Sequence, residues 1–219
     1  MIAAAENPAS APDWAAETES AILANALPLC VHMGWTRPMT LAAGRKAGLS
    51  TGETDLLLPH GPRDLAALLS RRHDAAALAA LPDPASLKIR QRIRAAVEAR
   101  LEAAGRDREA LRRWAGYLAL PLNLPLALRL AWESADLLWR WAGDTATDEN
   151  HYSKRAILSA ILVSTTAIDL ASGREAALAY LDARIQNVMD FEKWKAGLKP
   201  ADLAREVAGA LASIRYGRP

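Results

Sequence analysis

At 219 residues the chain is long enough to bury a sizeable core, as one domain or as a small domain joined to a larger one. It is 51% hydrophobic, led by Ala and Leu with few β-branched runs, a balance that favours helix over strand. Its 27 basic and 25 acidic residues leave a net charge of +2, which excludes a polyanion binder acting through overall charge. The lone Cys30 excludes an internal disulfide and fits a reducing compartment.

Residues 1–12 are Ala/Pro-rich and aperiodic and read as a disordered lead. The first basic residue, Arg37, follows Glu6, Asp13, Glu17 and Glu19, so no targeting presequence is expected. Trp14 to His32 places Ile22, Leu23, Ala26, Leu29 and Cys30 on one helical face. Met39 to Ala47 is a short helix ended by Gly48. Ser50 with Glu53 three residues on is a capping-box pattern that opens a helix over Thr51 to Leu58. Pro59-His60-Gly61-Pro62 then breaks the chain before a helix over Arg63 to Leu81. Residues 13–81 thus have the layout of a helix-turn-helix module, and Pro82-Asp83-Pro84 marks its boundary.

Beyond it, Ile89, Ile93, Val97 and Leu101 form an apolar stripe, with Arg90, Arg92, Arg94 and Arg100 read as a solvated face. Helices follow at Asp107–Leu120, Leu126–Trp141, Tyr152–Ala171 and Glu175–Lys195, with a joint at Pro121 to Pro125; residues 85–198 read as one larger helical domain. The longest uninterrupted apolar candidate, Ala156 to Ile168, has 13 uncharged residues, too few for a bilayer core. Residues 199–219 close the chain as an amphipathic helix. Leu203, Val207, Leu211 and Ile214 form its apolar stripe, and from Glu192 onward the segment is net +3, the pattern of a helix lying on an anionic membrane.

The chemistry of an enzyme is not expected. The four histidines lie far apart, Cys30 and His32 lack further ligands, and the glycines sit at helix ends instead of forming a phosphate loop, so neither a metal site nor a cofactor is expected. Asp144 and Asp148 read as helix caps. The seven tryptophans against one phenylalanine suit either a core or an apolar–polar boundary.

The stretch LLWRWAGDTATDENHYSKR, from Leu137 to Arg155, resembles the Coq-nine family of ubiquinone-biosynthesis accessory proteins. So do GWTRPMTLAAGRKAGLS, LLLPHG, KIRQRIRAAVEARLEA, ALPLNLPLALRLAWESADLLWRWAGD and AYLDARIQNVMDFEKWKA, in that order along the chain. The N-terminal part is similar to the helix-turn-helix module of TetR-type regulators. The resemblance implies an all-α, TetR-like bundle that binds lipid instead of DNA, with a C-terminal pocket expected from Leu118, Leu126, Leu130, Trp132, Ile157, Ile161 and Leu162. It implies presentation of an isoprenoid quinone to the di-iron demethoxyubiquinone hydroxylase through a patch at Ser134, Leu138, Trp141, His151 and Tyr152. There Trp141 and Tyr152 are expected to be more exposed than core aromatics. His151 stands where the family has Trp, and Ala183 where it has Arg. A homodimer, no nucleic-acid partner, and a bacterial cytoplasmic location peripheral to the inner membrane complete the expectation. The alternative is a TetR-type ligand-responsive regulator. Against it, the third helix carries Glu53 and Asp55 and no base to meet phosphate.

Overall fold

The computed structural model describes residues 14–145 and 149–197. Among them lie nine α-helices and no strand: α1 (Trp14–Met33), α2 (Arg37–Lys46), α3 (Thr51–Leu57), α4 (Pro62–Ala80), α5 (Ile89–Gly105), α6 (Arg108–Leu118), α7 (Leu124–Trp141), α8 (Glu149–Ser172) and α9 (Arg174–Gly197). The all-α expectation holds. Asp148, Leu203, Val207, Leu211 and Ile214 lie outside the described residues.

The helix starts obey local chemistry. Thr36 Oγ1 accepts from the Met39 amide at 3.3 Å to cap α2. At α3 the expected capping box is complete: Ser50 Oγ accepts from the Glu53 amide at 3.3 Å, and Glu53 accepts from the Ser50 amide at 2.8 Å. Pro62 and Pro125 sit in first turns, where a missing N–H costs nothing. Pro125 therefore begins α7 two residues earlier than expected instead of breaking it. Asp107 lies just outside α6, where its carboxylate serves neighbouring side chains.

Two cores result. Ile22, Leu23, Cys30, Trp35, Met39, Leu58, Leu65 and Leu69 close the α1–α4 module. Ile93, Val97, Leu101, Leu138, Leu158, Leu162, Leu181 and Ile185 unite α5, α7, α8 and α9. Helix α4 serves both, with Leu65 and Leu69 in the first core and Leu78 packed against the second. Between them a buried polar seam runs from Asp74 on α4 to Arg100 on α5 and Ser134 on α7.

Helix α8 corrects the expectation that no helix is long and apolar enough to span a bilayer: His151–Ser172 is, by length and composition. Its charges hold it in the bundle. Arg155 and Asp169 are each 1% exposed, Arg155 bonded to Asp136 and Asp144, and Asp169 to Arg108 and Arg174.

Helices α2 and α3 cross at Gly44, where an added Cβ would lie 2.2 Å from Thr54 Oγ1. Thr54 is itself buried. Gly44→Ala should therefore cost about 1–3 kcal/mol in chemical denaturation, and Thr54→Ala in the same chain should recover part of it. A G44A variant as stable as the parent would show that the crossing has slack.

Candidate apolar clefts on either side of helix α8

Helices α6, α7 and α8 do not close on one another. Ala115 and Gly116 on α6, Ala119 at its C-cap, Ala127 and Ala131 on α7, and Ala167 on α8 face the same space, and their small size leaves a cleft of about 460 Å³. Leu111, Trp114, Leu118, Leu124, Leu130, Leu162, Val163 and Leu170 complete its walls. A volume in the range of small-molecule sites survives because the i, i+4 pairs Ala115/Ala119 and Ala127/Ala131 repeat the deficit along two of its walls.

The base of this cleft is polar. Ser70, Arg100 and Ser134 line it; the Asp74 carboxylate behind them holds Arg100 and Ser134, and Arg100 in turn holds Ser70. Arg100 Nε donates to Asp74 Oδ1 at 2.5 Å and Nη2 to Ser70 Oγ at 3.4 Å, while Ser134 Oγ donates to Asp74 Oδ2 at 2.8 Å. Arg100, expected on a solvated face, is buried. Ser70 and Arg100 were not singled out as site residues by sequence.

A second cleft of about 230 Å³ lies across α8, between α5 and α9. Ile89, Ile93, Trp139, Ile157, Ile161, Ile185 and Val188 line it, with Arg90 and Lys154 at its edge. The expected pocket residues divide between the two. Leu118, Leu130 and Leu162 line the first cleft; Ile157 and Ile161 line the second. Leu126 packs beside Leu118 and Leu130 without lining either cleft, and Trp132 turns its ring toward Tyr152, centroids 6.2 Å apart. One elongated pocket through all seven residues is not what the helices form.

The residues of the expected patch also separate. Tyr152 is 65% exposed, with the His151 ring edge-on at 5.2 Å. Trp141 is half-buried against the C-terminal core. Ser134 and Leu138 are buried, one bonded to Asp74 and the other in the core, so neither offers its side chain to a partner at this surface. Beneath the patch, Arg155 donates to Asp136 Oδ1 at 2.5 Å, to Asp144 Oδ2 at 2.9 Å and to the His151 carbonyl at 3.1 Å. Lys154 Nζ reaches Asp144 Oδ1 at 2.6 Å and stands over the Trp139 ring, whose Nε1 donates to the Lys154 carbonyl. Burial opposes the Asp144 charge, yet hydrogen bonds from Lys154 and Arg155 hold its carboxyl below the usual range. Asp144 is thus an ion-pair partner and not the helix cap expected of it.

Near the other end of the seam, His73 Nε2 bonds Asp107 at 3.0 Å, Arg72 also bonds Asp107, and His73 Nδ1 is buried without a partner. Burial, reinforced by the charge of Arg100, pushes the His73 imidazole down to about 4. Burial also works against the Asp107 carboxylate, but His73 and Arg72 hold it below its ordinary range. An unfolded imidazole titrates near 6.5, so between pH 6.5 and 4 the unfolded chain takes up a proton that the folded chain refuses. Stability should be flat above that window and fall by roughly 3 kcal/mol across it. Urea denaturation over a pH series would show this, and His73→Gln should flatten that part of the curve.

The bundle and its clefts define an all-helical protein with an internal apolar site, and no cluster able to hold a metal ion is found among the described residues. Residues 124–192, which contribute α7, α8 and most of α9, match the COQ9 family. The chain is 30% identical over 180 residues to the "Ubiquinone biosynthesis protein COQ9, mitochondrial" of Rattus norvegicus, covering 77% of this chain and 58% of the relative. The Homo sapiens protein of the same name is 29% identical over 180 residues, covering 77% and 57%. COQ9-A of Xenopus laevis is 35% identical over 102 residues, covering 45% and 32%. These matches support the COQ9 family that the motifs suggested, and the chain spans under three-fifths of the length of these relatives. Their names overturn the expected bacterial cytoplasmic location, because the matched relatives are mitochondrial proteins.

Proposed function

We propose that this chain is a non-catalytic lipid-binding accessory protein of ubiquinone biosynthesis. It holds an isoprenoid quinone intermediate in the α6–α7–α8 cleft and presents it to the demethoxyubiquinone hydroxylase. The observation that carries this reading is the cleft itself: apolar walls built from alanine, glycine and leucine, ending on Ser70, Arg100 and Ser134. Each methylene moved from water onto such walls contributes ~0.8 kcal/mol, and the hydroxyls and guanidinium at the base suit an oxygenated ring. The names of the relatives supply the pathway.

The clefts make separable predictions. Ala127→Trp puts an indole into the α6–α7–α8 cleft and should deplete the lipid that mass spectrometry recovers from the purified protein. Ile161→Trp fills the other cleft and should leave that lipid in place. Release by Ile161→Trp alone would move the site across α8, and undiminished lipid in both variants would remove both clefts from consideration.

Within the same reading, the hydroxylase docks on the surface around Tyr152. An exposed aromatic ring braced by Trp132 and His151, over a helix joint locked by Arg155, is a preorganised anchor. Tyr152→Ala should weaken hydroxylase binding by about 2 kcal/mol or more with unchanged helicity by circular dichroism. Titration calorimetry giving parental affinity would place the anchor elsewhere.

A further inference from the structure

The corner where α6 turns into α7 holds leucines outward. Leu122 is 79% exposed and Leu128 65%, and Leu120 and Leu124 are each at least half exposed. This is not a slack loop. Asn123 is buried between them, its Nδ2 donating to the Tyr117 carbonyl at 2.9 Å and its Oδ1 accepting from Arg63 Nε at 3.1 Å. Arg63 Nη2 also donates to the Leu122 carbonyl at 2.7 Å, and Pro121 and Pro125 fix φ on either side. A braced tip that keeps four leucines in water needs an apolar medium to enter.

Two further observations identify that medium. Leu124, and the 58% exposed Val163 of α8, belong both to this apolar surface and to the walls of the α6–α7–α8 cleft, so the exposed patch is continuous with the cavity. The segment from Glu109 to Glu133 contains Arg112, Arg113 and Arg129, all exposed, against two carboxylates at its ends, and Glu133 is shared between Arg129 at 3.5 Å and Arg71 at 3.7 Å, so the surface stays net positive. Apolar side chains at the tip with cations set back along both helices match the depth profile of an anionic bilayer, acyl chains inside and phosphates at the rim.

We propose that the α6–α7 corner inserts into an anionic membrane leaflet and is the portal through which the cleft exchanges lipid. The portal role rests on the reading of the cleft as a lipid site; the insertion does not. This contact is separate from the one expected of residues 199–219.

The test uses the full chain with vesicles of phosphatidylcholine, with and without phosphatidylglycerol. Cys30 is buried, so Leu122→Cys supplies a single accessible thiol for an environment-sensitive fluorophore. The label should shift to the blue on anionic vesicles. A vesicle-bound protein whose label stays in water would overturn the insertion, as would a protein that ignores anionic vesicles altogether. Leu122→Ser with Leu128→Ser, both exposed positions where folding is not at stake, should reduce vesicle partitioning by roughly tenfold or more. Arg129→Gln should reduce it about fivefold. If the double variant instead changes the oligomeric mass at parental vesicle affinity, the leucines cover a second copy of the chain and the proposal fails. Lipid content separates the two readings: a parent chain that inserts but yields no lipid condemns the lipid-site reading alone, while a double variant that no longer inserts yet exchanges lipid with vesicles at the parental rate condemns the portal role.

Discussion

The Asp74 carboxylate is the point on which the two cores are joined. It is 5% exposed, and both its oxygens are engaged, one by Arg100 of α5 and the other by Ser134 of α7. A lone carboxylate at that depth would be far more costly than its partners are beneficial, so removing either partner of such a pair costs about 3–5 kcal/mol. The geometry that satisfies the carboxylate also fixes how α4, α5 and α7 meet. It leaves Arg100 and the serines Ser70 and Ser134 facing the one space that the alanines of α6, α7 and α8 do not fill. The docking of the N-terminal module and the polar base of the cleft are therefore one arrangement.

That arrangement explains the fate of the N-terminal module. The α2–α3 pair keeps the tight crossing at Gly44 and the full capping box at Ser50. The charges of α3 are the exposed Glu53 and the half-buried Asp55, which Arg37 engages at 2.6 Å. Hydrogen bonds from Ser50 hold Glu53 in its charged form. The module meets the rest of the molecule chiefly through α4, which carries Ser70 to the cleft and Asp74 behind it.

Helices and their starts were legible in the sequence because caps, prolines and apolar periodicity act within a few residues of one another. The cleft was partly legible. Leu118, Leu130 and Leu162 were named because the resemblance implied a pocket among apolar helices; helical faces alone do not separate a pocket from a core, since whether a face is filled or left open depends on the volume opposite it. Here that volume is set by Ala127, Ala131 and Ala167, which read as ordinary helix formers. Arg100 was missed because its charge outweighed its position: seven residues after Ile93 and three after Val97, it falls on the buried stripe of α5. The same spacing was the signal that could have found it. Ser134 and Leu138 were assigned to a surface by resemblance, and the packing of α7 turns both inward. Asp144 reads as a cap in any local window, since its partners Lys154 and Arg155 lie on the next helix.

The Arg155 ion pairs restrict how this chain can diverge. Arg155 is 1% exposed, and the two carboxylates that neutralise it come from different segments, Asp136 within α7 and Asp144 beyond its end. An apolar replacement at 155 would leave Asp144 with Lys154 alone and Asp136 with Arg140 alone, and an apolar replacement at either aspartate would leave a cation partly unmatched beneath the Tyr152 surface. Drift at these three positions has to be concerted, and any intermediate sequence passes through a loosened α7–α8 joint. Lys154 and Arg140, which also reach these aspartates, are far more exposed than Arg155 and can vary with less consequence. In a set of descendants of this chain, the joint should therefore survive as a linked triplet amid changing neighbours, or be lost from the helix pair all at once.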